Sequence, residues 1–128
     1  KKMKLLNLDH VNIQTADVTR LSSWYCNILG LKEGPRPDFQ GPKGKWLYLG
    51  DTAILHLAEN KSIEPPETPG LEHFSLTAKG LKVFQVQLDK ANINYKLLEV
   101  PEIGLIQVNL ADCDGNHIHI DFPLNENV

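Results

Sequence analysis

Two pairs of histidines with the same internal spacing constrain this chain more than any other feature of its sequence. The interval from His10 to His56 equals that from His73 to His119, so a single shift that moves His10 onto His73 lays the whole first pair on the second. The chain has only five histidines, and its overall identity at that shift is close to chance. Self-similarity at a fixed period is the sequence signature of repeated structural units. We therefore expect two copies of one unit, matched at their histidines.

The first half of the chain is predicted to contain a strand, a helix and further strands. Alternating apolar residues mark the strands, whereas apolar residues recur at helical spacing from Val18 to Ile28. Residues 34–44 are rich in proline and glycine and are predicted to form a loop. The predicted strands of this half are 6–14, 45–50 and 52–59.

The second half repeats this order after a polar, proline-rich segment at 59–70, which is predicted to be a linker. Leu81, Phe84, Leu88 and Ala91 stand at helical spacing. The predicted strands of this half are 71–78, 94–100, 105–112 and 117–122. We therefore expect an α+β fold, with one domain over 1–128 that consists of βαβββ modules at 1–58 and 71–128.

Composition narrows the classes of partner. The chain has 128 residues, a net charge of −3 and no cluster of Lys and Arg, which argues against nucleic acid. No apolar run approaches the length of a membrane span, and no signal-peptide core follows the basic start. Cys26 and Cys113 are too few for a disulfide framework and suit a reducing cytoplasm. We expect a cytoplasmic protein with a small-molecule substrate.

All four repeated histidines are predicted to lie in strands, on the face opposite the aliphatic side chains. His56 alternates with Leu55 and Leu57, and His119 stands between two isoleucines. A buried polar face needs water, a ligand or a metal as its partner. The other side chains predicted to line this cavity are Asn12, Trp46, Tyr48, Ser75, Asn109 and His117.

Imidazole is the commonest protein ligand for divalent transition metals. A single strand histidine is more often a hydrogen-bonding wall residue, but four in matched positions favour a shared metal site. The predicted ligands are therefore His10, His56, His73 and His119. His117 has no mate, because position 54 is Ile54, and is predicted either to line the cavity wall or to support a metal ligand. Asp121 is predicted to hold a ligand histidine in orientation.

With these modules in place, the sequence resembles the glyoxalase/bleomycin-resistance/extradiol-dioxygenase superfamily, also called the vicinal oxygen chelate proteins. The resemblance runs from "LDHVNI" through "WYCNILGL", "WLYLGD", "ILHL" and "LEHFSL" to "DCDGNHIHI". It implies a cup-shaped mixed sheet with helices outside, and a metal held by the first and last strands of each module. It also implies a homodimer, and leaves open whether one chain or two complete the cavity.

The chain departs from the family pattern at one position. His119 stands where the family usually has a glutamate, in "D-x-D-G-N-x-x-E". An all-imidazole site leaves the charge of the metal uncompensated, which favours anionic, bidentate oxygen ligands. The change also weakens an extradiol dioxygenase interpretation, which uses two histidines and one carboxylate on iron(II).

Four further residues are weaker candidates. Arg36 and Phe39 lie in the predicted loop, placed to cover the cavity, and Arg36 can bind a substrate carboxylate or phosphate. Loop arginines are nevertheless usually solvated. Glu99 and Glu102 flank the corresponding stretch of the second module and are candidate bases.

Two classes of function follow. The favoured one is an enzyme with one divalent metal (Zn, Ni, Fe or Mn) that chelates a 2-oxo, enediolate-forming or anionic substrate, as a lyase or isomerase. A dioxygenase or a thiol transferase is the weaker enzymatic alternative. The other class is a metal-free protein that binds and sequesters a small molecule such as a drug, since fold does not settle function.

Overall fold

The computed structural model describes residues 2–38, 41–64, 67 and 69–127. The chain divides into two compact units, Lys1–Glu64 (unit 1) and Pro65–Val128 (unit 2). Within the described residues, no helix is long and apolar enough to span a membrane.

Unit 1 is a βαβββ module with a four-stranded mixed sheet. The strand order is β1-β4-β3-β2, with β1 parallel to β4 and the other pairs antiparallel. Its elements are β1 Val11–Thr15, α1 Val18–Leu29, β2 Lys32–Gly34, β3 Gly44–Leu49 and β4 Thr52–Glu59.

Unit 2 repeats this topology. The strand order is β5-β8-β7-β6, again with one parallel pair, β5 and β8. Its elements are β5 Phe74–Thr77, α2 Leu81–Lys90, β6 Lys96–Val100, β7 Leu105–Ala111 and β8 His117–Pro123, with short 3-10 helices at Pro101–Ile103 and Leu124–Glu126. The predicted α+β class and the βαβββ modules are therefore confirmed.

Local sequence explains both ends of α1. Asp17 is the N-cap, and its side chain accepts a hydrogen bond from the backbone N–H of Arg20 at 3.0 Å. Gly30 ends the helix in the left-handed conformation (φ 75°), where a side chain would be strained. Between these ends, Val18, Leu21 and Tyr25 are fully buried, so one apolar face of α1 packs against its own sheet.

Helix α2 buries Leu81, Phe84 and Leu88 at the predicted spacing. Phe84 packs against Phe122 of β8, with ring centroids 5.8 Å apart. The fourth predicted residue, Ala91, is exposed and follows the last helical residue. The predicted helical spacing therefore extends one residue beyond the helix.

Three boundaries differ from the sequence prediction. Strand β2 was not predicted, because it has three residues, is an edge strand and shows no apolar alternation. Strand β1 begins at Val11, where its pairing with β4 begins, and residues 2–10 are exposed. Strand β4 has the predicted bounds, 52–59, so the predicted linker begins one residue too early, at Glu59.

Candidate metal centre

The parallel strand pair of each unit carries two of the repeated histidines. In unit 1, His56 lies in β4 opposite Asn12, and His10 directly precedes β1. In unit 2, His119 lies in β8 opposite Ser75, and His73 directly precedes β5. The prediction that all four lie in strands is therefore right for His56 and His119 and wrong for His10 and His73, which lie one residue before the ladder begins.

The two histidines of unit 1 form a stack with Trp46. The ring centroids of His10 and His56 are 3.7 Å apart with an interplanar angle of 12°, and those of Trp46 and His56 are 3.9 Å apart with an angle of 10°. Trp46 pairs directly with His56 across β3 and β4. An imidazole binds metal through a lone pair in its own plane, so two parallel stacked rings cannot both point at one ion. One ring must turn before both can bind it.

The histidines of unit 2 are tilted rather than stacked. His73 lies between His119 and His117, at centroid distances of 4.8 and 5.0 Å and interplanar angles of 43° and 50°. The structure thus brings the repeated pair together in this unit too, with His117 as a third neighbour.

A carboxylate faces Nδ1 of three of the four proposed ligands. Nδ1 of His10 lies 2.7 Å from Asp9, and Nδ1 of His73 lies 3.1 Å from Glu72; in both cases the acid is the preceding residue. A carboxylate only accepts, so it holds the proton of the neutral ring on Nδ1 and leaves the lone pair on Nε2.

The third such pair is buried. Nδ1 of His119 lies 2.5 Å from Asp121, and the two residues are each 7% exposed. The sequence predicted that Asp121 orients a ligand histidine; the contact is present, and the ligand role of His119 stays a prediction. Metal-binding histidines almost always donate their other N–H to a carboxylate, a carbonyl or water. The carboxylate contacts of His10, His73 and His119 therefore favour the tautomer in which Nε2 can bind a divalent transition metal.

Electrostatics favour the neutral form of the fourth histidine. Burial and, secondarily, the neighbouring His10 lower the pKa of His56 below its ordinary value of 6.5. The nearby Arg36 guanidinium acts in the same direction. Neutral imidazole is the form that binds a metal.

Glu72 is a contact residue that the sequence prediction missed. Its carboxylate bridges two rings, at 2.6 Å from Nδ1 of His117 and 3.1 Å from Nδ1 of His73. The hydrogen bonds from His117 and then His73 lower the pKa of Glu72 below its ordinary value of 4.5. A signal was available, because the shift that pairs the histidines also lays Asp9 on Glu72.

Three of the predicted cavity-wall residues lie opposite a repeated histidine of their own unit. Asn12 and Ser75 are exposed on β1 and β5, beside His56 and His119 respectively. Asn109 lies opposite His119 in β7, and its Oδ1 is 2.9 Å from Nε2 of His117.

Tyr48, which was predicted to line the cavity, and Arg36, which was predicted to cover it, both contact residues of the segment from 34 to 48. The Tyr48 hydroxyl donates to the carbonyl of Pro35 at 2.5 Å, and a Cβ at Gly34 would lie 2.8 Å from the Tyr48 ring. A register shift between Leu47 and Tyr48 accompanies this contact. Nη2 of Arg36 donates to the carbonyl of Pro42 at 3.1 Å. Phe39 lies outside the described residues.

The two candidate bases lie elsewhere in unit 2. Glu99 is in β6 and accepts a hydrogen bond from Nδ2 of Asn127 at 2.8 Å. Glu102 is exposed in the 3-10 helix that follows β6. Among the described residues, neither carboxylate is hydrogen bonded to a histidine.

Solved structures share this fold over nearly the whole chain. A glyoxylase/bleomycin resistance protein/dioxygenase domain from Frankia sp. EAN1pec is 23% identical, with a TM-score of 0.78, and 94% of this chain and 93% of that chain are covered. A glyoxalase/dioxygenase from Nostoc punctiforme is 18% identical, with a TM-score of 0.73 and coverage of 96% and 99%. A lactoylglutathione lyase from Agrobacterium tumefaciens is 17% identical, with a TM-score of 0.65 and coverage of 88% and 90%.

These likenesses concern the fold alone, since so few residues are identical in each pair. No curated protein matches the chain significantly. A family model for the Glyoxalase/Bleomycin resistance protein/Dioxygenase superfamily matches residues 7–120. The chain therefore belongs to this superfamily.

Proposed function

We propose that this protein is a metal-dependent enzyme that acts on a small, oxygen-rich substrate, as a lyase or isomerase. The proposed ligands are His10, His56, His73 and His119. The observation that carries this proposal is the carboxylate on Nδ1 of three of these rings, at 2.7, 3.1 and 2.5 Å. Each contact leaves Nε2 as the nitrogen with a lone pair, which is the arrangement of a metal ligand.

The donor set suits zinc, nickel or iron, since imidazole binds all three, and manganese is the fourth candidate. A bound divalent metal would polarise adjacent substrate oxygens and stabilise negative charge that develops on them. Because His119 replaces the usual glutamate, no ligand brings a negative charge. Substrates that chelate as anions, such as an enediolate or a 2-oxo acid, therefore fit best.

The chain's own residues have separable tasks in this proposal. Asp9, Glu72 and Asp121 each hold a proton on Nδ1 of one histidine and so orient its ring. Arg36 is close enough to His56 to lower its pKa, so its guanidinium is the proposed partner of a substrate carboxylate or phosphate. The lactoylglutathione lyase among the similar structures supports the lyase subtype by analogy of fold.

The rival candidate is a metal-free protein that binds a small molecule. The parallel stack of Trp46, His56 and His10 favours it, because the two imidazoles contact each other rather than point at one ion. Such a stack also offers an aromatic surface that an apolar or aromatic ligand can contact. This candidate predicts ligand binding that is unaffected by chelators.

Elemental analysis of gently purified protein separates the two candidates. The enzyme predicts about one equivalent of a first-row divalent metal per chain. It also predicts loss of that metal in His73→Ala and His119→Ala, whereas the exposed control Lys82→Ala keeps it. Full metal retention in both histidine variants would refute the ligand assignment. Size-exclusion chromatography with light scattering tests the homodimer that we propose from the family resemblance.

A further inference from the structure

Unit 2 contains a group of side chains of the types that can hold a metal ion. One ligand atom each from Glu72, His73 and His117 lies within 4.8 Å of the others. Glu72 is at the centre, with its two oxygens 3.1 Å from Nδ1 of His73 and 2.6 Å from Nδ1 of His117. Neither His117 nor Glu72 belongs to the four-histidine set of the proposed function.

The hydrogen-bond partner of Nε2 indicates the tautomer of His117. Nε2 of His117 is 2.9 Å from Oδ1 of Asn109, and an amide oxygen only accepts, so Nε2 carries a proton. In the neutral ring, Nδ1 then has a lone pair that faces the Glu72 carboxylate at 2.6 Å. The lone pair of Nδ1 and the Glu72 carboxylate therefore face one another as two potential ligands of one cation.

The dimensions suit a metal ion. Zinc binds imidazole nitrogen and carboxylate oxygen at about 2.0–2.2 Å, so its ligand atoms lie roughly 3–4 Å from one another. The 3.1 Å contact between His73 and Glu72 lies in this range, and the 2.6 Å contact between His117 and Glu72 must lengthen slightly to admit an ion. The side chains of Glu72, His73 and His117 are 66%, 39% and 40% exposed, so an ion can reach them and keep water ligands.

We propose that Glu72, His73 and His117 bind a divalent transition-metal ion at a second site contained within unit 2. Asn109 acts as a positioning residue, since it holds the proton on Nε2 of His117. The site does not rest on the proposed function and needs neither His10 nor His119. His73 is common to both sites, through Nδ1 here and Nε2 in the four-histidine centre. A neutral imidazole has one lone pair, so the two sites compete for His73.

The test uses a variant in which the four-histidine centre is disrupted, His10→Ala with His119→Ala. Titration with Co²⁺, followed by its visible absorption and by calorimetry, is expected to give one bound equivalent per chain. Adding Glu72→Gln or His117→Ala is expected to weaken this binding by at least about tenfold, since removing a ligand costs no less than removing an orienting partner. The exposed glutamate Glu67 provides the matched control, Glu67→Gln, which is expected to leave the affinity unchanged.

The outcomes separate this site from the proposed function. No Co²⁺ binding by the double variant, or equal affinity after Glu72→Gln, overturns the second site. If the double variant binds Co²⁺ as tightly as the wild type, the second site stands and the four-histidine assignment fails. Circular dichroism of each variant shows whether a lost affinity reflects lost folding, and a loss confined to unfolded variants counts against the site.

Discussion

Nδ1 of His119 lies 2.5 Å from the carboxylate of Asp121, two residues further along the same strand. Residues two apart on a strand share a face, so the backbone alone brings this pair together. If His119 binds a metal through Nε2, Asp121 fixes the tautomer and raises the basicity of the ligand.

Asp121→Asn is therefore expected to lower metal affinity by about 10–100-fold while the fold persists. The amide keeps the shape of the side chain but loses the charge. Competition with a chelator of known affinity measures the change, and Asp51→Asn, in the exposed turn after β3, is the control. An unchanged affinity in Asp121→Asn would mean that His119 is not a ligand.

The stack on Trp46 provides an optical test of the proposed metal centre. The chain has two tryptophans, so Trp24→Phe leaves Trp46 as the only indole. Because His10 and His56 are parallel and 3.7 Å apart, one of them must turn to bind the same ion, which alters the contact on Trp46. Saturating Zn²⁺ is expected to change the intensity or wavelength of Trp46 emission.

The same titration with His56→Ala added is expected to abolish this response, since the ring between Trp46 and His10 is then absent. Emission from the Trp24→Phe protein that stays constant at saturating Zn²⁺, with binding verified by calorimetry, would sink the idea that His56 is a ligand.

The sequence predicted the features that occur in both units. The repeat placed His10 with His56 and His73 with His119, and the structure brings each pair into contact. That the two pairs bind one ion stays a prediction. The apolar spacing was likewise sufficient to predict both helices, because helical periodicity is a strong local signal.

Features that depend on a single unit were missed. Strand β2 is three residues long and lacks periodicity, so only its pairing with β3 defines it. The position of His117 beside Glu72 arises from the approach of the start of β8 to the residues before β5, a contact across 45 residues. Alternating patterns carry no information about such a contact. The side-chain contact of Tyr48 accompanies a register shift between β3 and β4, which strand propensity does not predict.

Gly44 is a position where a side chain has no room. A Cβ there would clash with the backbone carbonyl oxygen of Leu57 in the neighbouring strand, and would also meet the Arg36 guanidinium at 2.8 Å. Backbone cannot swing aside as a flexible side chain does. Gly44→Ala is therefore expected to lower the free energy of unfolding by about 1–3 kcal/mol.

Urea denaturation followed by circular dichroism measures this change. Gly41→Ala, in the loop just before β3, is the matched control, since a Cβ at Gly41 meets nothing within 4 Å. Equal stability of the two variants would show that β3 and β4 can separate slightly at no cost.

Each helix also begins at a carboxylate supplied from the end of its own unit. Oε2 of Glu59 accepts from the backbone N–H of Val18 at 3.1 Å, and Oε1 of Glu126 accepts from that of Leu81 at 2.9 Å. The shift that pairs the histidines lays Val18 on Leu81 but does not lay one glutamate on the other. The two units thus satisfy the same helix N–H with carboxylates at different sequence positions.

This contact predicts a pH dependence of stability. The hydrogen bond from Val18, with help from Lys61, lowers the pKa of Glu59 below its ordinary value of 4.5. The stabilisation is therefore fully present above pH 4.5 and is lost as the pH falls through the lowered pKa. Glu59→Gln is expected to lower the melting temperature at neutral pH, and its deficit should shrink as the solution is acidified below pH 4.5. Thermal scans across this range measure the deficit, with Glu102→Gln as the exposed control. A deficit of constant size at every pH would show that the charge of Glu59 does not stabilise α1.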